Sequence, residues 1–252
     1  MSNPYNLTPD QILPFLPYEK KLHSQHGESG IIELLTDNII DTNKIFLEIG
    51  WGNGLGNMTI DLLEKNWSGT GVDLFDEPHP DAKITDKFTY IKLKIEPGNV
   101  YEALKNIPRD FDFFSLDIDS YDFEISKTLL ELEYRPKVCC LEFNPRFGPD
   151  IEASFPYKVQ PKKKLYRKYG IYGSSIKKYI KLWESYGYRF FTYDSSLTNL
   201  FFYDPMKLND MSSYVTYKLE NFPIKEDKNL EIIKEHGMWI EELDIIYKGY
   251  EK

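Results

Sequence analysis

Cysteine is scarce in this chain: of 252 residues only Cys139 and Cys140 are cysteines, adjacent in an apolar run. Neighbouring side chains on a strand point to opposite faces, so this pair does not suit a disulfide. That excludes a disulfide scaffold and sets the expectation of a reduced, cytoplasmic protein. Long apolar runs are missing too. None approaches the ~20 residues that a membrane-crossing helix needs, so no membrane span is expected. The first residues, MSNPYNLTPDQILPF, lack a basic stretch followed by an apolar one, so no secretory signal is expected. A basic excess is also lacking. Lys and Arg number 31 against 40 Asp and Glu, a formal net charge of −9. Bulk nucleic-acid binders usually carry the opposite bias, so no nucleic-acid partner is expected. Internal repeats and low-complexity tracts are absent.

What is present can fold. Hydrophobic residues make up 41% and charged residues 28%, enough apolar content for a buried core. Short apolar runs alternate with helical patterns. Strands are predicted at 44–49, 71–75, 89–95, 111–117 and 137–143. Helices are predicted at 31–40, 57–66, 100–106 and 123–132. This rhythm argues for a mostly parallel sheet with helices on both faces. A helix over 174–186 opens with a cap-like Ser and ends at Gly187. Runs 188–193 and 199–203 follow, joined by a short link, and so short a link requires antiparallel neighbours. The fold class is therefore α/β, Rossmann-like and doubly wound. A seven-stranded, mostly parallel sheet ends in an antiparallel hairpin, with helical extensions at both termini.

The strongest motif is LEIGWGNGLG, Leu47 to Gly56, which follows a predicted strand and opens a predicted helix. Gly50, Gly52 and Gly54 allow a sharp turn and close approach of backbone to a ligand. The dinucleotide pattern G-x-G-x-x-G fails, because its third glycine falls on Leu55 or Asn57. What remains is an acid, Glu48, followed by alternate glycines. An acid there would repel a pyrophosphate but suits a positively charged ligand. Asp73 ends the next strand, where a ribose-binding acid is expected in nucleotide-binding folds.

Several segments resemble class I S-adenosylmethionine-dependent methyltransferases, and among them FkbM-like proteins, many linked to O-methylation of sugars. They are SQHGESGI (24–31), FLEIGWGNG (46–54), LLEKNWSGTGVD (62–73), FSLDIDSYDFEI (114–125), RPKVCCLEFNP (135–145) and YGSS (172–175). The resemblance implies S-adenosylmethionine as cofactor. Glu48, Gly50, Gly52, Gly54, Asp73 and Asp117 would line its site, with Glu96 and Asn99 near the adenine. The implied layout is an N-terminal cap with the SQHGE loop at 1–43, a methyltransferase domain at 44–204 with a lid at about 146–173, and a helical extension at 205–252. That extension would cap the core or form a homodimer contact.

Asp117 and Asp119 fall at the end of the fourth strand, Glu142 and Asn144 at the end of the fifth. Parallel strands bring these ends to the same edge as the glycine turn. An alcohol acceptor needs a base or a metal to lose its proton. Asp119, Glu142 and Asn144 are the candidate catalytic residues, with His26 as the alternative base. Asp117, Glu142 and Asn144 are candidate ligands for Mg²⁺ or Mn²⁺, since hard oxygen donors suit those ions. The basic stretch Lys158 to Lys168 is unusual in an acidic chain. Lys163, Lys164 and Arg167, with Tyr172 for stacking, would contact a phosphorylated acceptor such as a nucleotide sugar. The expected activity is O-methylation of a sugar, nucleotide sugar or surface-polysaccharide precursor. The alternatives are another small-molecule or protein acceptor, or a nucleotide-binding module without chemistry.

Overall fold

The computed structural model describes residues 12–154 and 172–224, and the backbone of two further strands at 238–241 and 244–247. Seven strands form the main sheet: β1 Ile45–Ile49, β2 Ser68–Asp73, β3 Phe88–Lys92, β4 Phe113–Leu116, β5 Val138–Glu142, β6 Arg189–Tyr193 and β7 Asn199–Tyr203. Their spatial order is β3-β2-β1-β4-β5-β7-β6. The first five are parallel, and β7 runs antiparallel to both β5 and β6. This is the expected doubly wound, Rossmann-like sheet with its terminal hairpin.

Period-2 alternation decides which helices cover which face. Leu47, Ile49, Phe114, Cys139, Leu141 and Phe202 pack against α3 Val100–Leu104, α4 Asp122–Glu131 and α5 Ile176–Ser185. Phe46, Phe113, Val138, Cys140 and Phe201 face α1 Glu28–Asp37 and α2 Ile60–Glu64. Cys139 and Cys140 thus belong to opposite cores, and both are free thiols. Strands β4, β5 and β7 are buried along their whole length, which is why they read as continuous apolar runs. The parallel ladder needs an anchor at its other end. There Lys137 donates to Asp112 at 2.7 Å, with side chains only 4% and 0% exposed. Asp112 also accepts the Lys44 N–H at 2.6 Å.

Three elements differ from expectation. Helix α2 begins at Ile60 rather than residue 57, because Asn57 and Thr59 turn their side chains toward Trp51 and Glu48. Strand β2 begins at Ser68, since Ser68 to Thr70 pair with β1. The C-terminal extension is not mainly helical among its described residues. It holds one 3-10 turn, Leu219–Asn221, and an antiparallel strand pair, β8 Met238–Glu241 with β9 Asp244–Tyr247. Its first part caps the core: Phe222 is buried, with its ring 5.1 Å from that of Tyr193. No helix among the described residues is long and apolar enough to cross a membrane.

Candidate functional site

The sheet order reverses between β1 and β4, and a crevice opens at their C-terminal ends, as the topology of open α/β sheets requires. A cleft of about 570 Å³ lies there, lined by Gly50, Val72, Asp73, Leu93, Lys94, Ile95 and the loop 117–121. Its size is that of a small-molecule site. An inner cavity of about 90 Å³ adjoins it, lined by Gln25, His26, Glu28, Glu48, Trp51, Asn57, Asp117 and Asn199 among others. Gln25, Gly50 and Asp117 border both.

The glycine turn is built by close approach. Gly50 has φ +88°, and a Cβ on it would stand 1.6 Å from the Asp117 carbonyl oxygen. Gly52 has φ +63°, and its N–H donates to Asp73 Oδ2 at 2.7 Å. Asp73 also accepts the Leu74 N–H, so both its oxygens are oriented by backbone with lone pairs to spare at the cleft. Gly54 lies on neither wall; a Cβ there would meet the Trp51 ring at 2.3 Å. Glu48 is buried on the β1 face toward α2 and accepts from the Thr59 hydroxyl. Burial raises its carboxyl to about 7.

Three carboxylates converge at the ends of β4 and β5. Oxygens of Asp117, Asp119 and Glu142 lie within 4.8 Å of one another. Strand β4 ends at Leu116, so alternation along a strand does not bring the acids together; a turn with Asp119 at φ +57° does. Asp122 shapes that turn, accepting the Ile118 N–H at 2.7 Å and the Ser120 N–H at 2.9 Å. Asp117 and Glu142 hydrogen-bond to each other, and burial with the charges of Asp122 and Asp119 raises both carboxyls. Glu142 is 5% exposed, and its Oε2 has no partner.

The remaining expected residues fall as follows. His26 lines the inner cavity, and its backbone N–H donates to Glu28 Oε2 at 2.7 Å. Asn144 is engaged locally: Oδ1 accepts the Arg146 N–H, and Nδ2 donates to the Tyr172 carbonyl, both at 3.1 Å. Asp119 forms an acidic group with Asp117 and Glu142. Glu96 and Asn99 form a capping box on the 3-10 turn Pro97–Asn99, and Leu93, Lys94 and Ile95 line the cleft. Lys163, Lys164 and Arg167 lie outside the described residues.

Sequence reasoning missed Asn57, Asp122 and Asn199. Asp122 had a signal, an acid in the first turn of a helix just after a strand end. Asn199 had none, since its meeting with Glu28 joins residues 171 apart in sequence. The segment carrying Gln25 and His26 is held in place by His23, whose Nδ1 lies 2.6 Å from Asp61 Oδ1 and whose Nε2 lies 2.9 Å from Lys83 Nζ.

No protein-family model and no curated protein sequence matches the chain. Among solved structures it is similar to a protein from Lactococcus lactis provisionally named a hemolysin, at 14% identity and TM-score 0.47, over 81% of this chain and 98% of that one. An O-methyltransferase from Bacillus cereus in complex with SAH matches at 15% identity and TM-score 0.42, over 79% and 81%. A protein from Nostoc punctiforme provisionally named an O-methyltransferase matches at 12% identity and TM-score 0.45, over 70% of this chain and 55% of its own length. The fold rests on strand order and register rather than on these likenesses.

Proposed function

We propose that the chain is an S-adenosylmethionine-dependent O-methyltransferase whose acceptor is a hydroxyl of a sugar or nucleotide sugar, such as a surface-polysaccharide precursor. The observation that carries this reading is the convergence, at one sheet edge, of the glycine turn, Asp73 and the carboxylates Asp117, Asp119 and Glu142. Three crowded acids cost stability through desolvation and mutual repulsion, a cost that a module without chemistry has no reason to carry.

The residues fit the cofactor. Asp73 offers two backbone-oriented oxygens to ribose hydroxyls, and Val72, Leu74, Leu93 and Ile95 give apolar walls for the base. The acids around Gly50 suit a sulfonium and repel a pyrophosphate. When bound, S-adenosylmethionine supplies an electrophilic methyl group for in-line displacement. The chain's own task is then to hold the acceptor oxygen and take its proton. Glu142, with its unpartnered buried oxygen beside Asp117, is the first candidate for that proton, and His26 is the alternative. The oxygen-only set Asp117, Asp119 and Glu142 also fits a hard divalent cation, Mg²⁺ or Mn²⁺, which would lower the pKa of the acceptor hydroxyl. Lys163, Lys164 and Arg167 are proposed to grip the acceptor's phosphates. Transfer of a labelled methyl group to a panel of sugars and nucleotide sugars tests the reading; labelling of proteins or amines alone would overturn the sugar assignment.

A further inference from the structure

Away from the acidic group, His23, Asp61, Glu64 and Lys83 meet from three stretches of chain. Asp61 and Glu64 stand three residues apart on α2 and so share one face. His23 Nδ1 lies 2.6 Å from Asp61 Oδ1, and Lys83 Nζ lies 2.9 Å from both His23 Nε2 and Glu64 Oε1. Ligand atoms of His23, Asp61 and Glu64 all lie within 4.8 Å of one another.

The chemistry of these partners fixes the state of the ring. An ammonium only donates, so His23 Nε2 accepts from Lys83, and Nδ1 carries the proton that goes to Asp61. A neutral imidazole whose far N–H is held by a carboxylate is the form in which histidine ligates metal ions. His23 Nε2 and Glu64 Oε1 are 3.7 Å apart. Two ligands on one tetrahedral zinc stand about 3.4 Å apart, so a single ion spans this pair with a small closing movement. The Lys83 ammonium marks the place, because it already bridges the same two atoms.

Lys83 leaves the group incompletely balanced. Two carboxylates here face one ammonium, and Asp61 Oδ2 is buried without a partner. A divalent ion in place of the ammonium matches both carboxylates. The Lys83 side chain is 59% exposed and that of Glu64 48%, so water weakens the resident pair and the flexible lysine is free to leave.

We propose that His23 Nε2 and Glu64 Oε1 form a binding site for a Zn²⁺-class transition-metal ion, which exchanges with the Lys83 ammonium while Asp61 holds the imidazole. A nitrogen ligand beside an oxygen suits Zn²⁺ and not Mg²⁺, so this site differs in kind from the oxygen-only group at Asp117, Asp119 and Glu142. Its position ties it to the cleft. His23 lies two residues before Gln25, which borders both cavities. The stretch leading to Lys83 touches the glycine turn, where the His79 N–H donates to the Asn53 carbonyl at 2.7 Å. Exchange keeps His23 on α2 and releases Lys83 from it. None of this depends on what the cleft binds.

The test follows the imidazole ring-nitrogen signals of the full chain by NMR as Zn²⁺ is added in the presence of excess Mg²⁺, which occupies oxygen-only sites. His23→Gln identifies the His23 signals among those of the four histidines. Zn²⁺ is expected to shift His23 Nε2 saturably, and before the rings of His26, His79 and His236. Glu64→Gln should weaken binding about tenfold or more, and Lys83→Met, which removes the competing cation, should tighten it about tenfold or more. No saturable shift at His23, or shifts that saturate first at another ring, would leave only an ion pair here and overturn the proposal. Unchanged affinity in Lys83→Met would overturn the exchange, since the ion would not then take the place of the ammonium. The wild-type titration decides whether the site exists even where a variant fails to fold.

Discussion

Gly50 and Asp117 meet backbone to backbone, so closely that a Cβ on Gly50 would stand 1.6 Å from the Asp117 carbonyl oxygen. This contact joins the glycine turn after β1 to the acidic turn after β4. Gly50→Ala is expected to lose about 2 kcal/mol or more of stability, from clash and positive φ together, and to lose nucleoside binding. Gly98, where a Cβ would meet nothing within 4 Å, is the control. Gly98→Ala should stay within about 0.5 kcal/mol in urea unfolding.

The acidic group should act on turnover. Glu142→Gln is expected to lower kcat about 100-fold or more while changing S-adenosylhomocysteine affinity less than about threefold. If a divalent ion sits among Asp117, Asp119 and Glu142, EDTA abolishes activity and Mg²⁺ or Mn²⁺ restores it. Full activity in chelator would remove the metal from the account and leave the proton to Glu142 or His26 directly.

The pair Lys137–Asp112 anchors the opposite end of the sheet. Asp112→Ala leaves the buried Lys137 ammonium without its charged partner, with only the Asp41 carbonyl to accept from it, and is expected to cost about 3–5 kcal/mol. Asp112→Ala combined with Lys137→Met should recover part of that loss. Denaturant unfolding measures both, and an equal loss in the double variant would contradict the ion-pair account.

Stability should fall as pH rises through neutrality. Burial raises Glu48 and Asp194 to about 7, above the 4.5 and 3.8 of free carboxyls. A raised folded-state value means a contribution fully present below about pH 4 and lost as pH climbs through about 7. The urea midpoint should therefore be lower at pH 8 than at pH 6. An equal or higher midpoint at pH 8 would show that these acids are ionised in the fold at little cost.

The strands and the glycine turn were legible because both are local: short continuous apolar runs, buried on both faces in β4, β5 and β7, and glycines directly between strand and helix. Where side chains cross the sheet edge, local pattern was silent. Asn57 and Thr59 look like a helix start, yet they turn toward Trp51 and Glu48 and delay α2 to Ile60. Asn144, beside Glu142, also caps its own turn, which a ligand pattern alone does not show. Glu28 and Asn199 meet only because β7 lies beside β5 in one register, Glu142 opposite Asn199. The tail's apolar residues give no helical period that survives pairing as β8 and β9.

Titration calorimetry with S-adenosylhomocysteine and with NAD tests the central claim most directly. One-to-one S-adenosylhomocysteine binding, weakened about tenfold or more by Asp73→Ala as charged hydrogen bonds to the ribose are lost, is the predicted result. NAD should bind weakly or not at all. Tight NAD binding without S-adenosylhomocysteine binding would contradict the account.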